Sequence, residues 1–150
     1  MRKHDRGLLL TLSSTLVAPR DRVFRALTDP GDLARWWGPH GFTMPGAELD
    51  LRVGGGYRFS MQPPEGDLFH LSGEFLEIDP PARLAYTFRW EEPTADDQET
   101  IVRLSLDARG RATEVSLTQG PFATAERLEL HRRGWTDSFD RLRGHLGPGS

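Results

Sequence analysis

Asp29-Pro30-Gly31-Asp32-Leu33-Ala34-Arg35-Trp36-Trp37-Gly38-Pro39-His40-Gly41-Phe42 is the stretch that decides how this 150-residue chain folds. Asp29 can cap a short helix that has Pro30 at its first position and turns Leu33, Trp36 and Trp37 inward. Gly38, Pro39 and Gly41 then stop that helix. Two adjacent indoles are costly to expose, so they predict a broad apolar surface that needs covering.

Upstream, Leu8 to Val17 alternates as a strand, and Val23, Phe24 and Leu27 form the stripe of a first helix that Thr28-Asp29-Pro30 ends. The same apolar run from Leu8 to Ala18, behind a basic Met1 to Gly7, resembles the core of a secretory signal. Thr11, Ser13, Ser14 and Thr15 interrupt it, no small-residue cleavage site follows, and a strand with a cytoplasmic location is the reading preferred. The two helices lack a basic recognition face, which argues against nucleic acid as a partner.

Downstream the period becomes two. Ala47, Leu49, Leu51 and Val53 alternate with charged residues, Gly54-Gly55-Gly56 predicts a hairpin turn with positive φ, and Tyr57, Phe59 and Met61 follow. Phe69 to Ile78 changes its apolar side, which predicts a bulge near Gly73. Leu84, Tyr86, Phe88 and Trp90 alternate most clearly. An acidic loop over residues 91–97 leads to Val102, Leu104 and Leu106, then to Val115, Leu117 and Gln119. From Ala123 to Leu146 the period is helical, with Leu128, Trp135, Phe139, Leu142 and Leu146 on one stripe, and 147–150 reads as a frayed tail. Consecutive strands pair with their neighbours, and the last helix alone is long enough to cover the sheet. The expected fold is α+β: one domain, with a core of residues 8–146, in which a curved antiparallel sheet of about seven strands is gripped by a C-terminal helix.

Composition narrows the chemistry. The net charge of −3, with both signs interspersed, gives no footprint for nucleic acid or an anionic membrane surface, and the absence of cysteine removes disulfides and thiolate ligands. The arginines at 132–133 and 141–143 share their segment with acids and read as a solvated helix face. His4 and His145 read as solvated. None of the histidines shows zinc-site spacing, so no metal and no cofactor are expected. The glycine triplet lies between strands, not before a helix, and so is no phosphate cradle. Glu48 and Asp50 face solvent, and Glu74 and Glu77 fall on opposite faces, which leaves no paired acid and base.

The aromatic residues carry the strongest signal. Trp36, Trp37, Phe42, Tyr57, Phe59, Phe88, Trp90, Trp135 and Phe139 converge on the expected sheet–helix interface. Leu51, Tyr86 and Leu104 are counted with them as ligand-binding candidates. Tyr57, Gln119 or His131 would orient the polar end of a ligand. A curved sheet cannot meet a straight helix along its whole length, and the mismatch leaves room for a small hydrophobic molecule. Gly134, costly inside a helix, points to close approach or a gap beside Trp135.

Several blocks together resemble a known family: Trp36-Trp37-Gly38-Pro39 with Gly41-Phe42, the run from Asp50 to Gly55, the run from Gly73 to Pro81, Leu84 to Phe88, and Gly134-Trp135 with Leu142 and Leu146. They are similar to bacterial activator-of-heat-shock-ATPase-like domains of the START-like (SRPBCC) superfamily. The resemblance implies a seven-stranded helix-grip fold around a cavity, often as a homodimer. It implies no particular reaction, because that superfamily includes lipid carriers, cyclases and co-chaperones. The expectation is a non-catalytic carrier or sensor of a small apolar or aromatic ligand. The alternatives are a cyclase- or hydrolase-type enzyme using the same cavity, and a protein-interaction module with an exposed apolar patch.

Overall fold

The computed structural model describes residues 8–147. The readings of the basic start, of His4 and of the tail beyond Gly147 lie outside the described residues. The chain runs β1 (Leu10–Leu16), α1 (Arg20–Thr28), α2 (Pro30–Trp36), β2 (Thr43–Leu49), β3 (Gly56–Gln62), β4 (Phe69–Asp79), β5 (Arg83–Trp90), β6 (Thr100–Arg109), β7 (Ala112–Gly120) and α3 (Ala125–Leu146). The seven strands form one sheet in the order β1-β7-β6-β5-β4-β3-β2. Every pair is antiparallel. This is the expected α+β helix-grip fold. No helix among the described residues is long and apolar enough to cross a membrane.

The apolar side chains of consecutive strands line up in rows across the sheet. Leu12 faces Leu117, Leu117 faces Leu104, Leu104 faces Leu84, and Leu84 faces Ile78. The next row holds Leu10, Gln119, Val102 and Tyr86. Leu128, Trp135, Phe139, Leu142 and Leu146 of α3 are buried, as their helical spacing requires. Asp29 caps α2, its carboxylate accepting from the Asp32 N–H at 3.0 Å.

Four local readings need correction. β2 ends at Leu49, because Asp50 N–H already donates across the turn to Gly56 O at 2.9 Å. Leu51 and Val53 are consequently 45% and 63% exposed. The register shift in β4 lies between Phe75 and Glu77, which leaves Leu76 as the extra residue and returns Ile78 to the inner face opposite Leu84. Gly73 serves a different purpose: a Cβ there would stand 2.6 Å from the Tyr57 ring and 2.0 Å from Thr87 O. His145 is not free in solvent; its Nε2 lies 2.6 Å from the carboxylate of Asp32, which also takes 3.0 and 3.3 Å bonds from Arg22. Burial by itself would raise the Asp32 pKa, but the bonds from Arg22 and His145 outweigh it and hold the carboxyl below its ordinary value.

The fourth correction concerns Arg141, read as part of a solvated charge run. Its Nη1 donates to Trp37 O, Gly38 O and Pro39 O, each at 3.1 Å. Ser138 Oγ accepts from Gly38 N–H at 3.0 Å, and Asp140 meets the His40 ring at 3.0 Å. The glycine is required there, since φ is +101° and a Cβ would approach Met61 Cε to 3.1 Å. α3 thus clamps the turn that follows the paired tryptophans. Replacing Arg141 by Met keeps much of the stem packing but strips those carbonyls of a charged donor. Urea denaturation should show a loss of ~1–3 kcal/mol, whereas an unchanged midpoint would remove the clamp's energetic role.

Candidate functional site

The centre of the sheet–helix gap is filled with rings. Tyr57 packs on Phe59 at 4.9 Å between centroids and on Tyr86 at 5.3 Å, while Phe59 meets Trp37 at 5.0 Å. Trp135 leans on Phe139 at 5.8 Å. Trp36 is wholly enclosed and donates its indole N–H to Ala26 O at 2.8 Å, a tie between α2 and α1. Leu104 is buried in the row that crosses β6. These six residues besides Trp37 and Trp135, namely Trp36, Tyr57, Phe59, Tyr86, Leu104 and Phe139, are core rather than lining.

Space remains toward one end. A cavity of about 650 Å³ lies between the ends of β3, β4 and β5 and one flank of α3. Six of the expected residues line it: Trp37, Phe42, Phe88, Trp90, Trp135 and His131. Met61 and Phe69 complete the apolar floor. The rings meet mostly edge to face, with Trp37 and Trp135 centroids 5.2 Å apart, Phe42 and Phe69 6.1 Å apart, and Phe88 and Trp90 5.2 Å apart. Leu51, exposed on the β2–β3 turn, does not line it. Gly134 does, and a Cβ built there meets nothing within 4 Å. Its place is explained by a gap, not by close approach.

The three polar groups expected to orient a ligand are already engaged. Tyr57 Oη donates to Thr87 O at 2.6 Å. Gln119, wholly buried, accepts from the Trp135 indole N–H at 2.7 Å and donates to Thr100 Oγ1 at 2.8 Å. It fixes the rotamer of the central indole from across the sheet. His131 has both ring nitrogens committed. Trp90 can only donate, so His131 Nε2 accepts from it at 3.1 Å, and the ring proton sits on Nδ1, which donates to Arg127 O at 2.8 Å. That tautomer is neutral. Burial beside Phe88, Trp90 and Phe122 is the main cause that pulls the His131 pKa below its ordinary value, and the Arg127 charge adds to it.

Two residues missed in the sequence, Arg127 and Ser138, lie along the same flank of α3 as His131 and Gly134. Arg127, His131, Gly134 and Ser138 all line the cavity at spacings of four, three and four. That spacing was legible, but only His131 and Gly134 of the four had been singled out. Arg127 Nη2 forms a close ion pair with Asp97 Oδ1, and Thr94 donates to Asp97 Oδ2 from both its N–H and its hydroxyl, at 2.9 and 3.1 Å. Glu92 takes the His70 N–H and Nδ1 at 2.9 Å each, and these bonds hold its carboxyl below the ordinary pKa. The acidic loop between β5 and β6 is therefore pinned at two points beside the cavity. Among the described residues no group of three or more His, Asp and Glu is placed to hold a metal ion.

The sequence profile described as Activator of Hsp90 ATPase homolog 1-like protein matches residues 17–147. The chain belongs to that family. Among solved structures, protein CV1439 from Chromobacterium violaceum is similar at 30% identity, with 95% of this chain and 99% of that one covered and a TM-score of 0.87. Protein NE0264 from Nitrosomonas europaea is similar at 29% identity, covering 93% and 94%, with a TM-score of 0.79. The AHSA1 (SPO3351) protein from Silicibacter pomeroyi is similar at 26% identity, covering 92% and 96%, with a TM-score of 0.79. None of the curated proteins matches in sequence.

The neutral His131 generates a pH prediction. The unfolded chain titrates histidine near ~6.5 and the folded chain only below that, so the unfolded state binds the extra proton more readily. Stability is therefore complete above about pH 7 and falls as pH drops through ~6.5, levelling off below the folded pKa. The depressed carboxyls of Asp32, Glu91 and Glu92 lose their contributions only further down, in the carboxylate range. Urea midpoints between pH 8 and 5 should show this decline in the wild type and a smaller one in His131→Gln. Equal declines in the two would remove His131 as its cause.

Proposed function

We propose that the cavity beside α3 takes up a small, largely aromatic molecule, and that the protein works as a carrier or sensor inside the cytoplasm. The single observation that carries this is the open space at Gly134, on a wall otherwise facing Trp37, Trp90, Phe88 and Phe42. A helix interior gives up about 1 kcal/mol for a glycine over an alanine, and nothing in the packing requires one here. Room for a guest supplies the reason. The aromatic floor would bind by burial, at roughly 25 cal/mol per Å² of apolar area. Catalysis gains no comparable support, because His131 has no free nitrogen with which to move a proton.

A second reading comes from the family's name, which points to a chaperone partner. Leu51, Val53 and Leu76 are 45%, 63% and 39% exposed. They sit beside the backbone bonds that join Gly54 and Gly55 to Phe75. That apolar surface is what such docking would use, and it is separate from the cavity.

A leucine at position 134 would project into the empty space without meeting the core. Naphthalene-sized probes should quench the fluorescence of Trp37 and Trp135 saturably in the wild type. Gly134→Leu should bind them at least tenfold more weakly while melting no lower. Absence of saturable binding to the wild type, or equal affinity in the variant, would defeat the carrier reading.

A further inference from the structure

The hydrogen-bonding groups around the cavity are unequal in a way that selects a ligand. Three of the four indole N–H groups of the chain have acceptors: Trp36 on Ala26 O, Trp90 on His131 and Trp135 on Gln119. The fourth, Trp37 Nε1, has none among the described residues, and its ring lines the cavity. Arg127, also lining, spends only Nη2 on a side-chain partner. Its Nε is the one fully enclosed side-chain nitrogen or oxygen left without a partner among the described residues, and its Nη1 also has none among them. Since Nε alone is sealed in that condition, the Trp37 N–H and Arg127 Nη1 remain within reach of solvent.

The carboxylates and the imidazole facing the same space already hold donors. Both oxygens of Glu92 are held by His70, both of Asp97 by Thr94 and Arg127, and His131 Nε2 by Trp90. Asp137, on the rim, retains a carboxylate oxygen beyond its 3.4 Å bond from the His40 N–H. Inside, the cavity has donors with no partner among the described residues, whereas each carboxylate and imidazole acceptor already holds at least one donor. A guest that displaces water from these donors must replace its hydrogen bonds, so one that brings acceptors gains affinity and one without them loses it. Charge gives no ion an advantage. Arg127, Arg132 and Arg133 line the space against Glu92, Asp97 and Asp137, Arg127 is already paired with Asp97, and taking a full charge out of water is costly.

We infer that the ligand is an uncharged, largely aromatic molecule carrying carbonyl oxygens, accepting hydrogen bonds from Trp37 Nε1 and from the Arg127 guanidinium. The inference rests on the carrier reading above and names its ligand class. Arg127 and Trp135 are eight positions apart on α3, about 12 Å along its axis. Trp37 stands against Trp135, with centroids 5.2 Å apart. The two donors are therefore at different ends of the cavity. An elongated guest of two or three fused rings, oxygenated at both ends, matches them together.

Equilibrium dialysis with three probes of one shape tests this: 2-acetylnaphthalene, 2-ethylnaphthalene and 2-naphthoate. The ketone should bind roughly tenfold more tightly than its hydrocarbon isostere, as one hydrogen bond from a preformed donor allows. It should also bind more tightly than the carboxylate. Trp37→Phe keeps the ring and removes the N–H; Arg127→Met with Asp97→Asn removes the guanidinium without stranding a carboxylate. Circular dichroism confirms folding of both variants. Since a single carbonyl reaches one end at a time, loss of the ketone preference in either variant supports the assignment. Equal affinity for ketone and hydrocarbon overturns it while leaving the carrier reading intact, and so does a preference unchanged in both variants. Tighter binding of the naphthoate overturns the uncharged class. Failure of all three probes to bind defeats this inference and the carrier reading together.

Discussion

The grip of Arg141 on the carbonyls of Trp37, Gly38 and Pro39 is the interaction on which the rest of the architecture leans. α2 ends at Trp36, and its last carbonyls have no partner within the helix. A guanidinium offers several donors in a rigid plane and stays charged at every accessible pH, so it can hold several oxygens at once. With the turn so held, Trp37 is set on the inner face against Phe59 and Trp135. Together with the Ser138 and Asp140 bonds to the same turn, the clamp sets the cavity floor against α3. The clamp joins residues a hundred positions apart, so it also ties the two ends of the fold.

From that fixed point the aromatic core divides into two parts. Toward Tyr57, Tyr86 and Phe59 the rings fill the gap completely, and burial pushes the pKa of both tyrosines upward. Toward Phe42, Phe69 and Trp90 the sheet's strand ends splay from α3 and the gap stays open. Gln119 stands between the two, holding Trp135 from the sheet side. The central indole thus belongs to the core by its burial and to the cavity by one of its edges.

How much of this was legible follows from the range over which each feature acts. Alternation and helical spacing are local, and they gave the sheet, the buried stripe of α3 and the cap at Asp29 correctly. The end of β2 was misplaced because the glycine triplet drew the turn late, whereas the chain already turns at Asp50. The bulge was assigned to Gly73 because glycine is the usual marker, but that glycine yields to the Tyr57 ring and the extra residue is Leu76. The roles of Gln119, Arg141 and His145 depend on partners brought close only by the sheet's register and by the docking of α3. No local pattern announces them. Leu51 failed as a lining residue for the same reason that β2 was drawn too long.

The polar groups show what separates scaffold from site in this molecule. Gln119, Tyr57, Thr113 and Trp36 are enclosed and satisfied, each bonded to a definite acceptor or donor. They specify one packing and leave nothing for a guest. His131 and Trp90, at the cavity's edge, satisfy each other and hold the wall in shape. Among the described residues the fully enclosed group without a partner is Arg127 Nε, and Trp37 Nε1, less enclosed, also has none; both side chains lie on the cavity. Packing alone gives no partner to Arg127 Nε, which is enclosed beside the space along α3. On the reading proposed above, the acceptors of a guest would complete these groups.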